Sequence, residues 1–310
     1  MDFEETILIS VVIPTRNRPE EMKRLLNDLK SQTFPLNEID IIIVDSSEKI
    51  SVFEEATSMK FNNFTYVHSK VQSSAVQRNV GINLVSDTSE FIVFLDDDVS
   101  PSVDYITALL SLFQDLDIVG VSGIAVGQTK GEKKLTNWFA MTFKRIFSLY
   151  SDAQGSITAG GISMPVKFGS YELRKTSWLI GCAAWRRSAI GETCFETDFM
   201  GYSLGEDVIF SIKMSRKGTL ITNPKLLLMH NESRRGRPSQ KHFWKYWMVY
   251  RWRVCKLHNS SKIKGIFFYW WASLGQLLIL MCLFVLRRET HRGSIGGMMI
   301  GALKVLGYKK

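Results

Sequence analysis

What this chain lacks narrows its identity before any motif is read. Its 310 residues hold four cysteines, Cys182, Cys194, Cys255 and Cys282, without close pairing or metal-ligand spacing. That excludes a cystine-stapled module and fits reduced thiols in a cytosolic compartment. The opening MDFEETILIS is acidic and has no basic segment leading into an apolar one, so no signal peptide is expected. No glycine-rich loop follows the first apolar run, which removes the dinucleotide fingerprint and the P-loop as ways of holding phosphate. Acids nearly vanish from the end of the chain: residues 233–310 hold 16 Lys or Arg and one Glu, a balance of +15, whereas residues 1–232 hold 23 and 29, a balance of −6. An acidic body with a basic, aromatic tail points to an anionic membrane surface and away from nucleic acid.

What is present is an alternation of strand and helix. Ile7 to Ile13, Ile39 to Val44, Phe64 to Val67 and the run FIVFL from Phe91 read as strands, the first two as apolar as strands covered on both faces. Asn17 and Glu20 have capping-box spacing ahead of a helix with Met22, Leu25, Leu26 and Leu29 on one face, and Ser73 or Ser74 caps a second helix running to about Val85. This is the signature of a doubly wound α/β layer, in which polar residues at strand ends converge on one edge. Pro14, Thr15 and Arg16, then Asp45, then Asp96, Asp97 and Asp98 would line that edge. Three adjacent carboxylates repel one another unless a cation or a set of donors neutralises them, and hard oxygen ligands suit Mn²⁺ or Mg²⁺. Arg78 is an additional cation for a bound pyrophosphate. An acidic turn at a helix start is the plainer alternative.

The ordered segments VVIPTRN, IIIVDSS, QRNVG and FIVFLDDDV, continued by GCAAWRRSAI, FETDFMGYSLGEDVIFSIKMSRKG and NPKLLLMH, resemble the inverting family 2 glycosyltransferases over residues 7–230. The resemblance implies a glycosyltransferase-A fold, with a Rossmann-like, mostly parallel sheet flanked by helices. It implies a catalytic domain over 1–232, made of a nucleotide-sugar half (1–126) and an acceptor half (127–232), before a membrane-associated region over 233–310. By similarity Thr15, Asp45 and Arg78 contact the nucleotide base, beside Pro14 and Arg16. Asp97 touches ribose or sugar, Asp96 and Asp98 bind the metal or its water, and His230 completes the metal site. Trp185 and the Gly181 to Ala184 run resemble the segment beneath a sugar, where an aromatic ring offers a stacking surface or is simply core.

Inverting transfer is a single displacement and needs one general base opposite the leaving group, away from the metal carboxylates. Glu206 and Asp207 are the candidates. Glu206 has capping-box spacing to Ser203, which gives it a structural duty; Asp207 has none and sits in the first helical turn, where the helix dipole favours its ionised form. The activity expected is metal-dependent transfer from a nucleoside-diphosphate sugar to a hydroxyl of a lipid-linked or cell-surface glycan, at the cytosolic membrane face. A sugar nucleotidyltransferase and a catalytically silent nucleotide-sugar-binding protein are the alternatives.

The remaining stretches carry the membrane question. Leu135, Trp138, Phe139, Thr142, Ile146 and Leu149 lie on one helical face near basic residues, as an interfacial helix or one packed on the sheet. Residues 155–169 hold four glycines and read as a mobile loop. After a basic aromatic helix, Gly265 to Leu286 are 22 residues without charge, long enough to span, and Gly293 to Leu306 are too short. Either the long segment crosses once, or the two form an in-plane or re-entrant hairpin, or both pack as a buried pair.

Overall fold

The structure, a computed structural model, describes residues 8–48, 54, 57, 61, 63–127, 138–197, 204–231, 239–287 and 292–307. Leu135, Ser203 and the start of the first strand at Ile7 lie outside the described residues. The chain forms two compact units, Met1–Lys130 with Val166–Ser233 and Gly131–Pro165 with Arg234–Lys310. Residues 131–165, which the sequence reading places in an acceptor half, therefore group with the C-terminal helices.

The first unit is built on one nine-stranded sheet among the described residues. Its strands are β1 (Ile9–Thr15), β2 (Ile39–Asp45), β3 (Asn63–His68), β4 (Phe91–Phe94), β5 (Val99–Pro101), β6 (Ile118–Gly127), β7 (Arg174–Lys175), β8 (Ala183–Arg186) and β9 (Thr219–His230). Its helices are α1 (Pro19–Lys30), α2 (Ser74–Ile82), α3 (Tyr105–Leu110), α5 (Arg187–Ile190) and α6 (Glu206–Met214), while α4 (Trp138–Ile146) belongs to the second unit. The strand order is β3-β2-β1-β4-β8-β6-β9-β5, with β7 also on β9. The parallel character expected from the sequence holds across β3-β2-β1-β4. Beyond β4 the sheet is mixed, because β8 runs antiparallel to both β4 and β6 before β9 pairs parallel to β6.

Every residue of β1 and of β2 is buried, as their unbroken apolar runs require. Met22, Leu25, Leu26 and Leu29 are the buried stripe of α1. The helix starts one residue later than the capping box allows. Arg18 holds the cap position, and Asn17 takes a left-handed φ of 54° with its side-chain oxygen accepting the Glu48 amide at 3.1 Å. On α2, Gly81 lies so close to Val12 of β1 that a β-carbon there would collide with its side chain. Any larger residue must push the helix off the sheet.

The second unit contains α4, α7 (Gln240–His258), α8 (Lys262–Arg287) and α9 (Arg292–Val305). Gly265 lets α8 approach the backbone of α7 at Cys255, and Gly297 and Gly301 let α9 approach it at Lys241 and Lys245. Residues 155–164 are a packed turn, contrary to the mobile loop expected from their glycines. Gly155 and Met164 donate backbone hydrogen bonds to Met164 and Ser156, each at 2.8 Å, and the Arg251 guanidinium donates to the Gly160 carbonyl at 2.9 Å. Glycine is required at Gly161, whose φ is 78° and which sits against Cys255 and Arg251 of α7. Residues Lys262–Val285 are long and apolar enough to cross a membrane by length and composition, with a mean hydropathy of 1.8.

Gly81→Val is expected to lower stability by about 1–3 kcal/mol through overpacking against Val12. Chemical denaturation of the full chain measures it, and an unchanged midpoint would refute the tight helix–sheet approach.

Candidate active site

Parallel strands that end together bring their following loops to one edge, and here the register is direct: Thr15 of β1 pairs with Asp45 of β2. The Thr15 hydroxyl donates to Asp97 at 2.7 Å just past β4. Asp45 is buried and accepts from the Ser47 amide at 2.7 Å, from the Ser47 hydroxyl and from the Tyr66 hydroxyl at 2.6 Å. Its oxygens are thus engaged with its own loop and with β3. Arg16 is exposed and pairs with Glu48 at 3.1 Å, and Pro14 lies in the buried strand.

The three aspartates take different partners. Arg18 donates to Asp97 at 2.5 Å and to Asp98 at 3.0 Å. Asp98 also faces His230 at the end of β9, with Nε2 and Oδ1 3.2 Å apart. Asp96 turns the other way, to Arg78 at 2.5 Å. Burial pushes Asp97 up to about 6, although Arg18 and Thr15 pull against it. Burial acts on Asp98 too, but there His230 and Arg18 outweigh it and hold the carboxyl below the usual range. Arg18 was not singled out by sequence reasoning; the signal was a second arginine in the loop after β1, the loop that must face the aspartates.

Arg78 differs most from expectation. Its side chain is 3 % exposed, with one guanidinium nitrogen on Asp96 and the other on Glu206 at 2.6 Å, so it is not a free cation over a nucleotide base. Asp96 is the only one of the three open to solvent, at 38 %. Glu206 also accepts from the Ser74 hydroxyl at 2.8 Å, so it ties α6 to α2. The residue at the α6 cap is Gly205, with φ 72°, and Ser203 lies outside the described residues. The neighbours of Arg78 fasten other elements. Gln77 donates to the carbonyls of Thr15 at 2.7 Å and Val44 at 2.5 Å, and Asn79 exchanges two hydrogen bonds with the Phe195 backbone at 2.8 and 2.9 Å.

Asp207 follows Glu206 in the first turn of α6 and accepts the Val208 amide at 2.8 Å. Burial, then the neighbouring Glu206 charge, push its carboxyl above the ordinary range, and burial raises Glu206 against the pull of Arg78. The helix N-terminus does not dominate, contrary to the sequence expectation. Trp185 belongs to the core: it is 3 % exposed in β8 and meets Phe210 edge-on at 5.0 Å. A ring buried to that extent has no free face to offer a sugar. Gly181, at the head of the same run, does reach the site, since a β-carbon there would fall 2.9 Å from an Arg78 nitrogen.

The sequence of chain positions 10–171 matches the model of the glycosyl transferase family 2 domain, just over half of the chain. This chain belongs to glycosyl transferase family 2. Curated relatives include glycosyltransferase AglE of Haloferax volcanii, 29% identical over 36% of this chain and 38% of that one, and the minor teichoic acid biosynthesis protein GgaA of Bacillus subtilis, 26% identical over 43% and 31%. The matched stretches thus span about a third of those relatives' length. Among solved structures, S. aureus TarS 1-349 in complex with UDP-GlcNAc superposes with a TM-score of 0.63 at 14% identity, covering 96% of this chain and 81% of that one. The Pyrobaculum calidifontis mannosyltransferase PcManGT, in complex with GDP-Man and Mn²⁺, does so with 0.57 at 15%, covering 97% and 88%. These family 2 and structural likenesses place the first unit in the glycosyltransferase-A fold.

Among the described residues no three His, Cys, Asp or Glu side chains gather as a metal site, so the trio Asp96, Asp98 and His230 is not assembled. The reason is the Arg78 ion pair, which holds Asp96 away. Asp98 and His230 do fit a shared ion, because two adjacent ligands of an octahedral Mg²⁺-type cation stand about 3 Å apart.

Replacing Arg78 by Leu leaves two carboxylates facing each other and should lower stability by about 3–5 kcal/mol, with Lys recovering only part because one ammonium cannot fork to both. Urea unfolding checks this. Asp207 keeps its proton in the folded state at pH values where the unfolded chain has lost it, so stability falls as pH rises above the ordinary carboxylate range near 4. Asp207→Asn should flatten that slope and melt higher than the native chain at pH 8, measured by thermal melts across pH.

Proposed function

We propose that the chain is an inverting glycosyltransferase that moves a sugar from a nucleoside-diphosphate donor to a hydroxyl of a lipid-linked or cell-surface glycan. The observation that carries this reading is two chains of polar contacts that meet in the backbone at residues 96–98: one runs from Thr15 through Asp97, Arg18 and Asp98 to His230, the other from Asp96 through Arg78 to Glu206 beside Asp207. Acids from the loop after β4 and from α6, more than a hundred residues apart, are held together through Arg78.

In this reading Asp207 is the general base. A carboxylate raised towards neutrality is a better proton acceptor than an ordinary one, provided it is ionised when the acceptor hydroxyl attacks. The proton leaves the hydroxyl for the Asp207 carboxylate as the oxygen bonds to the anomeric carbon, and the bond to the nucleoside diphosphate breaks on the opposite side. Glu206 is the poorer candidate, since its Oε1 is committed to both Arg78 and Ser74 and its second oxygen is buried. Asp98 and His230 would hold Mn²⁺ or Mg²⁺, which supplies charge neutralisation to the departing diphosphate. In this reading Asp45 and Thr15 shape the floor of the donor site, and Asp97, buried and held by Thr15 and Arg18, supports that floor. The second unit attaches the enzyme to an anionic membrane at its cytosolic face.

A panel of nucleotide sugars with Mn²⁺ should include one that raises the melting temperature by mass action. With that donor, Asp207→Asn should keep the thermal shift and lose at least about 10²-fold in turnover. Full turnover in that variant would remove Asp207 as base, and no shift with any donor would count against the whole reading.

A further inference from the structure

The exposed surface of α8 is divided along its length. Ile263, Ile266, Phe267, Leu274, Leu278, Met281 and Val285 are exposed and recur at helical spacing, with Ile263 80 % and Val285 75 % open at the two ends. The opposite side is buried and polar at its centre. Arg251 of α7, fully buried, donates to the Ser273 hydroxyl, the Gln276 side-chain oxygen and the Tyr269 carbonyl. The neighbouring helices add to the exposed apolar surface with Trp138, Phe139 and Ile146 on α4 and Met299 and Leu303 on α9. Phe147, just past α4, stacks on Trp271 of α8 at 4.7 Å, and the Trp271 indole donates to the Ile146 carbonyl at 2.7 Å, which fixes α4 to α8.

A helix crossing a bilayer is bathed in acyl chains along its whole length. Here α8 cannot enter alone, because Arg251 and the Gly265 approach bind it to α7, which carries Lys241, Lys245, Arg251, Arg253 and Lys256. Immersing that cationic helix in hydrocarbon is strongly opposed. We infer that α8 does not span the membrane but lies in the plane of one leaflet of an anionic bilayer, its exposed apolar face among the acyl chains and its flanking cations at the headgroups. Charge selects this occupant. Residues 131–165 and 234–310 carry 20 Lys or Arg and three Asp or Glu, a balance of +17, so a second copy of the same face would be repelled where anionic lipid is attracted. Exposed Lys262 and Lys264 at the start of α8, and Lys304 on α9, stand beside the apolar positions.

The inference rests on the membrane attachment proposed above, and the test separates the two. Full-length protein carrying Cys194→Ser and Cys282→Ser receives one new thiol at either end of α8, Ser260→Cys or Thr290→Cys. Each is expressed and treated with a membrane-impermeant maleimide in inside-out membrane vesicles. Equal labelling of both is expected. Labelling of one end alone, with the other reached only after detergent, means a crossing and overturns the in-plane seat while leaving attachment intact. In parallel, purified protein should float with vesicles of phosphatidylglycerol and phosphatidylcholine and at least tenfold less with phosphatidylcholine alone, a preference lost at high salt. Phe267→Glu with Val285→Glu should lose at least tenfold in flotation while keeping the donor-induced thermal shift. Failure to float with either vesicle, or a stable dimer in solution that cannot float, overturns attachment as well, without touching the donor-binding result.

Discussion

One buried guanidinium holds the candidate site together. Arg78 lies between the carboxylates of Asp96 and Glu206, and nothing else among its described hydrogen-bond partners is a charged group. Taking Arg78 and Glu206 from water is costly, and the arrangement is stable only while both ion pairs are made. It is not fully satisfied: the Arg78 Nε and the second Glu206 oxygen are buried without partners. Beyond the triad, the network gathers Asp96, Asp97, Asp98, Glu206 and Asp207 around Arg18 and Arg78. Negative charge is in excess, and burial is the main cause that raises the carboxyls of Asp97, Glu206 and Asp207. A divalent ion at Asp98 and His230 would offset that excess where a diphosphate brings more negative charge.

The position of Arg78 follows from its helix. Successive residues of a helix point about 100° apart, so Gln77, Arg78 and Asn79 reach in three directions. Gln77 closes the ends of β1 and β2, Arg78 joins β4 to α6, and Asn79 secures the chain at Phe195. The Phe195 ring in turn stacks on Phe210 of α6 at 4.1 Å and faces the Arg78 guanidinium at 5.6 Å. Three consecutive polar side chains thus do what a larger interface would otherwise require, and Gly81 one turn on lets the helix come close enough for short side chains to reach.

Strand ends were the legible part of this site. Parallel pairing forces Thr15, Asp45 and the aspartates to one edge whatever the loops do, so an apolar run followed by a polar residue carries most of the information. Side-chain direction was not legible. QRN reads equally as a ligand-facing triplet or an internal clamp, and only the location of Glu206, some 130 residues away, decides it. Asn17 has the composition of a cap, but its left-handed backbone turns the side chain to Glu48 and leaves Arg18 aimed at Asp97. Trp185 illustrates the reverse error, in which an aromatic ring near a motif is core because it packs edge-on against Phe210 and is itself buried. The glycines of residues 155–164 mark close packing and one left-handed turn, which composition alone does not distinguish from mobility.

Arg251 and Arg78 show two ways of burying the same group. Arg78 is met by carboxylates, whereas Arg251 is met by the carbonyls of Gly160 and Tyr269, a hydroxyl and an amide. Guanidinium cannot shed its proton at neutral pH, so those acceptors must be supplied from elements placed around it. That requirement explains the polar positions inside an otherwise uncharged α8. Ser273 and Gln276 lower the average hydropathy little, but they sit on the buried side, and the exposed side is left wholly apolar between its ends. The helix is amphipathic in the inverse sense to one on a water-soluble domain, with polar atoms inward and hydrocarbon outward. Averaged over 22 residues that division disappears, which is why composition alone does not separate a crossing segment from one packed against a cationic helix.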